Sequence, residues 1–104
     1  MRRLEAAVGG PVRVLDGGGE SLAKVAVLTG GGGSFIEEAA RSGMDALVTG
    51  EGSHHTFVDA HELGIHVLYG GHYATETFGV KALAAHVAER FDLEWTFLDH
   101  PSGL

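Results

Sequence analysis

Apolar residues recur along this chain with two different periods, and the places where one period gives way to the other mark its elements. Leu4, Ala7 and Val8 sit at helical spacing until Gly9-Gly10-Pro11 stops them. Val12 to Leu15 alternates and runs into Asp16-Gly17-Gly18-Gly19, which predicts a short strand ending in a turn. Val25-Ala26-Val27-Leu28 is a continuous apolar run of strand length, followed by the glycine loop Thr29 to Ser34 and a helix from Phe35 that Gly43 ends. The same form repeats. Ala46-Leu47-Val48-Thr49 predicts a strand, Gly50-Glu51-Gly52-Ser53 leads into a helix ending near Gly64, and Ile65 to Tyr69 predicts another strand. Gly70-Gly71 opens the longest helix, about Tyr73 to Arg90, whose stripe of Glu76, Val80, Leu83 and Val87 is expected to face inward. Leu93, Trp95 and Phe97 then alternate as in a closing strand. Strands separated by helices predict an α/β fold: a largely parallel sheet of βαβ units with helices packed on its faces.

Composition narrows the picture without changing it. The 104 residues carry 7 Lys and Arg against 14 Asp and Glu, a formal charge of −7, so no nucleic-acid footprint is expected. With 44% hydrophobic and 20% charged residues the balance is that of one globular domain over residues 1–104. Cysteine is absent, which excludes disulfides, thiolate zinc sites and cysteine nucleophiles. No apolar run reaches a membrane-spanning length and the start does not resemble a secretory signal, so a cytoplasmic protein with no membrane partner is expected.

In a parallel sheet, ligands collect where strands end and helices begin, and three such mouths are predicted: Thr29 to Ser34, Thr49 to His55 and Gly70 to Glu76. The first, with Gly30, Gly31, Gly32 and Gly33, offers backbone N–H groups before a helix and is a candidate phosphate cradle. It lacks the lysine of a P-loop and the third glycine of a dinucleotide fingerprint, and glycines that merely permit a tight turn explain it equally. In the third mouth His72 and Glu76 lie one helical turn apart, a spacing at which an imidazole and a carboxylate share a divalent ion. The same spacing also suits a glutamate favouring the helix dipole beside a histidine bound to a loop. The second mouth carries Glu51, His54 and His55. On the helix behind it, His55, Asp59 and Glu62 share one face while His54, Val58 and His61 share another, as in a solvated polar surface or, less economically, a zinc or iron site.

Three segments together have the look of a known family. Leu28 to Ile36, Val48-Thr49-Gly50-Glu51-Gly52-Ser53 and, above all, Gly70-Gly71-His72-Tyr73-Ala74-Thr75-Glu76 resemble the GTP cyclohydrolase I type 2 homologues, the Ngg-interacting-factor-three-like dinuclear-metal proteins. Phe97-Leu98-Asp99 with Pro101 is similar to their C-terminus. The resemblance implies one lobe of a two-lobed α/β subunit, commonly assembled as a toroidal hexamer, with two divalent metal ions between the lobes. Only His72 and Glu76 carry over as ligands. Glu51 and His55 are expected at most to line the cleft, because His54-His55 does not match the family's N-terminal His-His pair by its surroundings. This chain is therefore expected to hold half a site of a metal-dependent hydrolase with a nucleotide or phosphate ligand. The alternative is a non-enzymatic metal-binding or scaffold module, homo-oligomeric through an apolar face left by an absent companion lobe.

Overall fold

Every strand in the fold owes its place to a glycine or polar break in the apolar pattern, and the computed structural model, which describes residues 1–104, follows those breaks closely. Its elements are α1 (Arg2–Val8), β1 (Arg13–Asp16), β2 (Val25–Val27), a 3₁₀ turn over Gly32–Phe35, α2 (Ile36–Arg41), β3 (Ala46–Thr49), α3 (Thr56–Leu63), β4 (His66–Tyr69) and α4 (His72–Phe91). The strands form one sheet in the order β1-β4-β3-β2. β2, β3 and β4 are parallel, with Ala46 opposite both Val25 and His66, as expected of βαβ units. β1 alone runs antiparallel, pairing Arg13 with Tyr69 and Asp16 with His66.

The central strands are buried and the helices α2 and α3 close over one face. Leu15, Ile36, Ala39, Leu47, Ala60, Ile65 and Val67 form the core cluster. Gly64 ends α3 in the left-handed conformation at φ 67°, where an L side chain is strained, and its N–H caps the last turn. His66, to which the sequence assigns no role, clips the turn after β1: its Nε2 donates to the Gly19 carbonyl at 2.7 Å, and Nδ1 lies 2.8 Å from Asp16 Oδ1. Asp45, just before β3, accepts from the N–H groups of Ala23 and Lys24, both at 2.8 Å. These bonds hold its carboxyl below the usual carboxylate range and fix the entry to β2.

Two expectations fail, and for related reasons. The stripe on α4 does not face inward: Val80, Leu83 and Val87 are 55%, 63% and 38% exposed, and Thr75 is the only buried residue of the helix. A helix of 20 residues is about 30 Å long, far longer than the four-residue strands beside its start, so most of α4 runs past the core. The chain spans 50 Å in its longest direction, and its radius of gyration of 15.4 Å exceeds the roughly 13 Å of a compact domain this size.

The segment from Leu93 to Leu98 is not a strand. Leaving the far end of α4, it has no sheet edge beside it and returns along the helix instead. Lys81 Nζ lies 4.4 Å above the Phe97 ring. Tyr73 Oη donates to Asp99 at 2.8 Å and accepts from the His100 N–H, and the Leu104 carbonyl accepts from the Tyr73 N–H at 3.1 Å. Burial and the bond to Asp99 together raise the Tyr73 pKa.

Candidate metal half-site

The three mouths converge at the carboxyl ends of β2, β3 and β4, and glycine makes the convergence possible. Gly30, at φ +72°, turns its carbonyl onto the N–H groups of Gly32, Gly50 and Glu51 at 3.0, 2.9 and 3.2 Å. Two buried hydroxyls complete the knot. Thr75 Oγ1 accepts from the Gly30 N–H at 3.0 Å and donates back to the Gly71 carbonyl, while Thr49 Oγ1 accepts from the Gly32 N–H and donates to the Gly30 carbonyl at 3.1 Å. The N–H groups of Gly70 and Gly71 reach the carbonyls of Thr49 and Gly50. The sequence alone assigns no role to Thr49 or Thr75. Each hydroxyl satisfies backbone that no ladder reaches, through partners that lie far away in the sequence.

This knot places His72 at the head of α4 between two carboxylates. Its Nδ1 is 2.6 Å from Glu51 Oε1 and its Nε2 is 3.3 Å from Glu76 Oε1. The bond to Glu51 raises the pKa of His72 against the opposing effect of desolvation, and the charge of Glu76 adds to the rise. Glu76, expected to face inward with the α4 stripe, does not: its side chain is 56% exposed and its partner is the imidazole. Gly30 and Gly31 leave space around that imidazole. A Cβ on Gly30 would stand 2.5 Å from Glu76 Oε1 and 3.3 Å from His72 Nε2.

Glu51 and His55, expected to line the cleft, border one depression of about 480 Å³ with Gly31, Gly33, Ser34 and Ser53. His55 does not reach His72; its Nδ1 lies 2.8 Å from Asp59 Oδ2. His54 lies on the opposite side of the Gly52–Ser53 loop, and His61 Nδ1 lies 2.7 Å from the Phe57 carbonyl, donating to it when protonated there. In the glycine loop the N–H groups of Gly30, Gly32 and Gly33 are engaged within the chain, which leaves that of Gly31 to meet a phosphate.

The donor types fit a divalent ion: an imidazole flanked by carboxylates, with glycine-lined space beside it. Their number does not complete a site, since no three His, Asp or Glu side chains are grouped so as to hold a metal ion.

The Duf34/NIF3 (NGG1p interacting factor 3) family model matches residues 1–102. The chain belongs to the Duf34/NIF3 family. Among Duf34/NIF3 relatives it is 43% identical over 102 residues to the GTP cyclohydrolase 1 type 2 homolog of Deinococcus radiodurans, a match covering 98% of this chain and 39% of that protein. The homolog of Halobacterium salinarum is 51% identical over 94 residues, covering 90% and 37%. The crystal structure of TTHA1606 from Thermus thermophilus superposes with a TM-score of 0.92 at 45% identity, covering 99% of this chain and 41% of that one. The chain thus spans about two fifths of the length of these relatives, and the family resemblance read from the three loop segments holds. No helix is long and apolar enough to cross a membrane.

Proposed function

We propose that this chain contributes half of a divalent-metal centre, with His72 and Glu76 as ligands and Glu51 orienting the imidazole from its other nitrogen. The observation that carries this reading is the placement of His72 between two carboxylates at the head of α4, with glycine on the facing loop. A histidine ligand held at its second nitrogen by a carboxylate has its ring orientation fixed and its basicity raised. The remaining ligands come from polypeptide outside this chain, consistent with relatives more than twice its length. Completed, the centre serves a metal-dependent hydrolase whose substrate is a nucleotide or related phosphate compound, in keeping with the name its relatives carry. A divalent ion there acts as a Lewis acid toward a phosphoryl or carbonyl oxygen. Meanwhile Thr49 and Thr75 hold the loops that set the His72 position.

A second reading, a non-enzymatic assembly module, is favoured by the exposed apolar stripe of α4. Val80, Leu83 and Val87 with Phe91 present the face through which this chain associates with further copies of itself, and sedimentation of Leu83→Glu against the parent checks it.

The metal reading is tested by titrating the untagged chain with Mn(II) and following paramagnetic broadening by NMR. Broadening centred on His72 and Glu76, abolished in His72→Ala and Glu76→Ala, is the expected result. Broadening centred on His54, His55 and Asp59, or unchanged in both variants, overturns the assignment. Turnover of GTP by the manganese-loaded chain alone contradicts the half-site.

A further inference from the structure

Across the Gly52–Ser53 loop from His72 lies a second concavity, of about 520 Å³, that the metal centre does not use. Arg13 opens β1 opposite Tyr69 at the end of β4, so their side chains stand on the same face of the sheet. Ser53, His54 and Phe57, from the start of α3 and the loop before it, form the facing wall. The Tyr69 hydroxyl is engaged within the wall, donating to Thr56 Oγ1 at 2.6 Å, and its ring lines the cleft. Gly52 rides directly on that tyrosine: a Cβ there would collide with Tyr69 Oη.

Charge makes the cleft specific. The chain carries −7 overall, yet Arg13 has no ion-pair partner. No carboxylate lines the cleft, and Asp59, further along the helix that carries Phe57, lies 2.8 Å from His55 Nδ1. Burial raises the Tyr69 pKa and the bond to Thr56 opposes the rise, while the charges of Asp59 and Arg13 act on it in opposite senses. A guanidinium fork without a carboxylate, flanked by a hydroxyl and an imidazole and walled by two aromatic rings, matches an oxyanion on one side and a planar apolar body on the other.

We propose that the Arg13 cleft binds a small oxyanion carried on a planar ring, with Arg13 taking the anion, Ser53 and His54 beside it, and Phe57 and Tyr69 flanking the ring. Anion recognition then falls to this cleft rather than to the glycine loop, whose amides are largely engaged within the fold. The site is independent of the metal centre, and its test is run in EDTA to keep the two apart.

The experiment is a ¹H–¹⁵N NMR titration of the full chain with three probes, phenyl phosphate, benzoate and inorganic phosphate. Saturable shifts of the Arg13, Gly52, Ser53 and His54 amides are expected with a ring-bearing probe, and the stronger of phenyl phosphate and benzoate identifies the oxyanion. Arg13→Gln weakens that binding at least tenfold, while Phe57→Ala weakens the ring-bearing probes and leaves inorganic phosphate unchanged. Both residues are exposed, so the variants keep the parent spectrum elsewhere. Shifts centred on Gly30 to Ser34, equal affinities in Arg13→Gln, or no saturable shift with any probe overturn the proposal.

Discussion

Substituting Gly50 by alanine tests whether the site is held by loop contacts that admit no side chain. Gly50 is buried where the three mouths meet, and a Cβ there would stand 2.5 Å from the Gly30 carbonyl oxygen, 2.7 Å from His72 Cα and 2.8 Å from Thr75 Oγ1. Two of these atoms are backbone and cannot rotate aside, so the loops must part by nearly an ångström in an interior packed like an organic crystal. Overpacking of this kind costs about 1–3 kcal/mol. The separation also stretches the bonds from Gly50 N to Gly30 O and from Gly71 N to Gly50 O, both 2.9 Å. Each such bond contributes about 1 kcal/mol. Alanine returns about 0.4–1 kcal/mol by restricting the unfolded chain. The expected net loss is about 3 kcal/mol, or ~12–24 °C in Tm at 4–8 °C per kcal/mol.

Urea denaturation followed by circular dichroism and by Trp95 fluorescence measures it. The His72 ring shifts should move in the same variant. Gly79→Ala serves as the control, because a Cβ on Gly79 meets nothing within 4 Å and alanine favours the helix by about 0.5–1 kcal/mol. A Gly50→Ala protein within about 0.5 kcal/mol of the parent, the range of an ordinary surface change, refutes the reasoning.

The His72 pKa is raised chiefly by Glu51, so Glu51→Gln should bring it back toward 6.5 in an NMR titration, and an unchanged midpoint would show that Glu51 is not the cause. A raised folded value means that the His72–Glu51 pair stabilises the fold below the unfolded pKa and loses that contribution as pH rises through the folded one, so the pH dependence of urea stability in that window should flatten in Glu51→Gln. Leu47, 1% exposed in the central strand β3, should cost about 2–5 kcal/mol when cut to alanine, whereas Leu83→Ala should fall within about 0.5 kcal/mol of the parent in the same denaturation assay. Comparable losses at both positions would mean that the α4 stripe is part of a core after all.

What the sequence showed and what it hid divide along the range of the interactions involved. Local signals placed β3 at its observed bounds, set the end of α3 at Gly64 and put α4 within one residue at each end, because glycine breaks and apolar runs act over a few residues. The His72–Glu76 pair was legible from its spacing for the same reason. The Glu51 contact to His72 spans 21 positions, and it depends on the Gly30 carbonyl drawing two loops together. Thr49 and Thr75 act through backbone partners 17 to 45 positions away, and no local pattern announces that. The inward reading of Val80, Leu83 and Val87 failed because periodicity shows that a helix has an apolar face without showing what covers it. Alternation at Leu93, Trp95 and Phe97 misled similarly, since a strand also needs a neighbouring edge.

The glycine knot and the overhanging helix together reverse the usual distribution of local stability. Loop amides such as those of Gly30, Gly32, Gly50 and Gly71 are locked onto buried acceptors, so their hydrogens should exchange only when the whole sheet opens. Beyond Gly79, α4 has one glycine behind it, no buried side chain and only the returning tail alongside, and its amides should exchange through fraying of the helix itself. The chain is thus a stiff set of loops carrying a soft rod, and whatever polypeptide settles on that rod must order it as it binds. Slowed exchange from Val80 to Phe91, with no change in the loops, would be the signature of such an encounter.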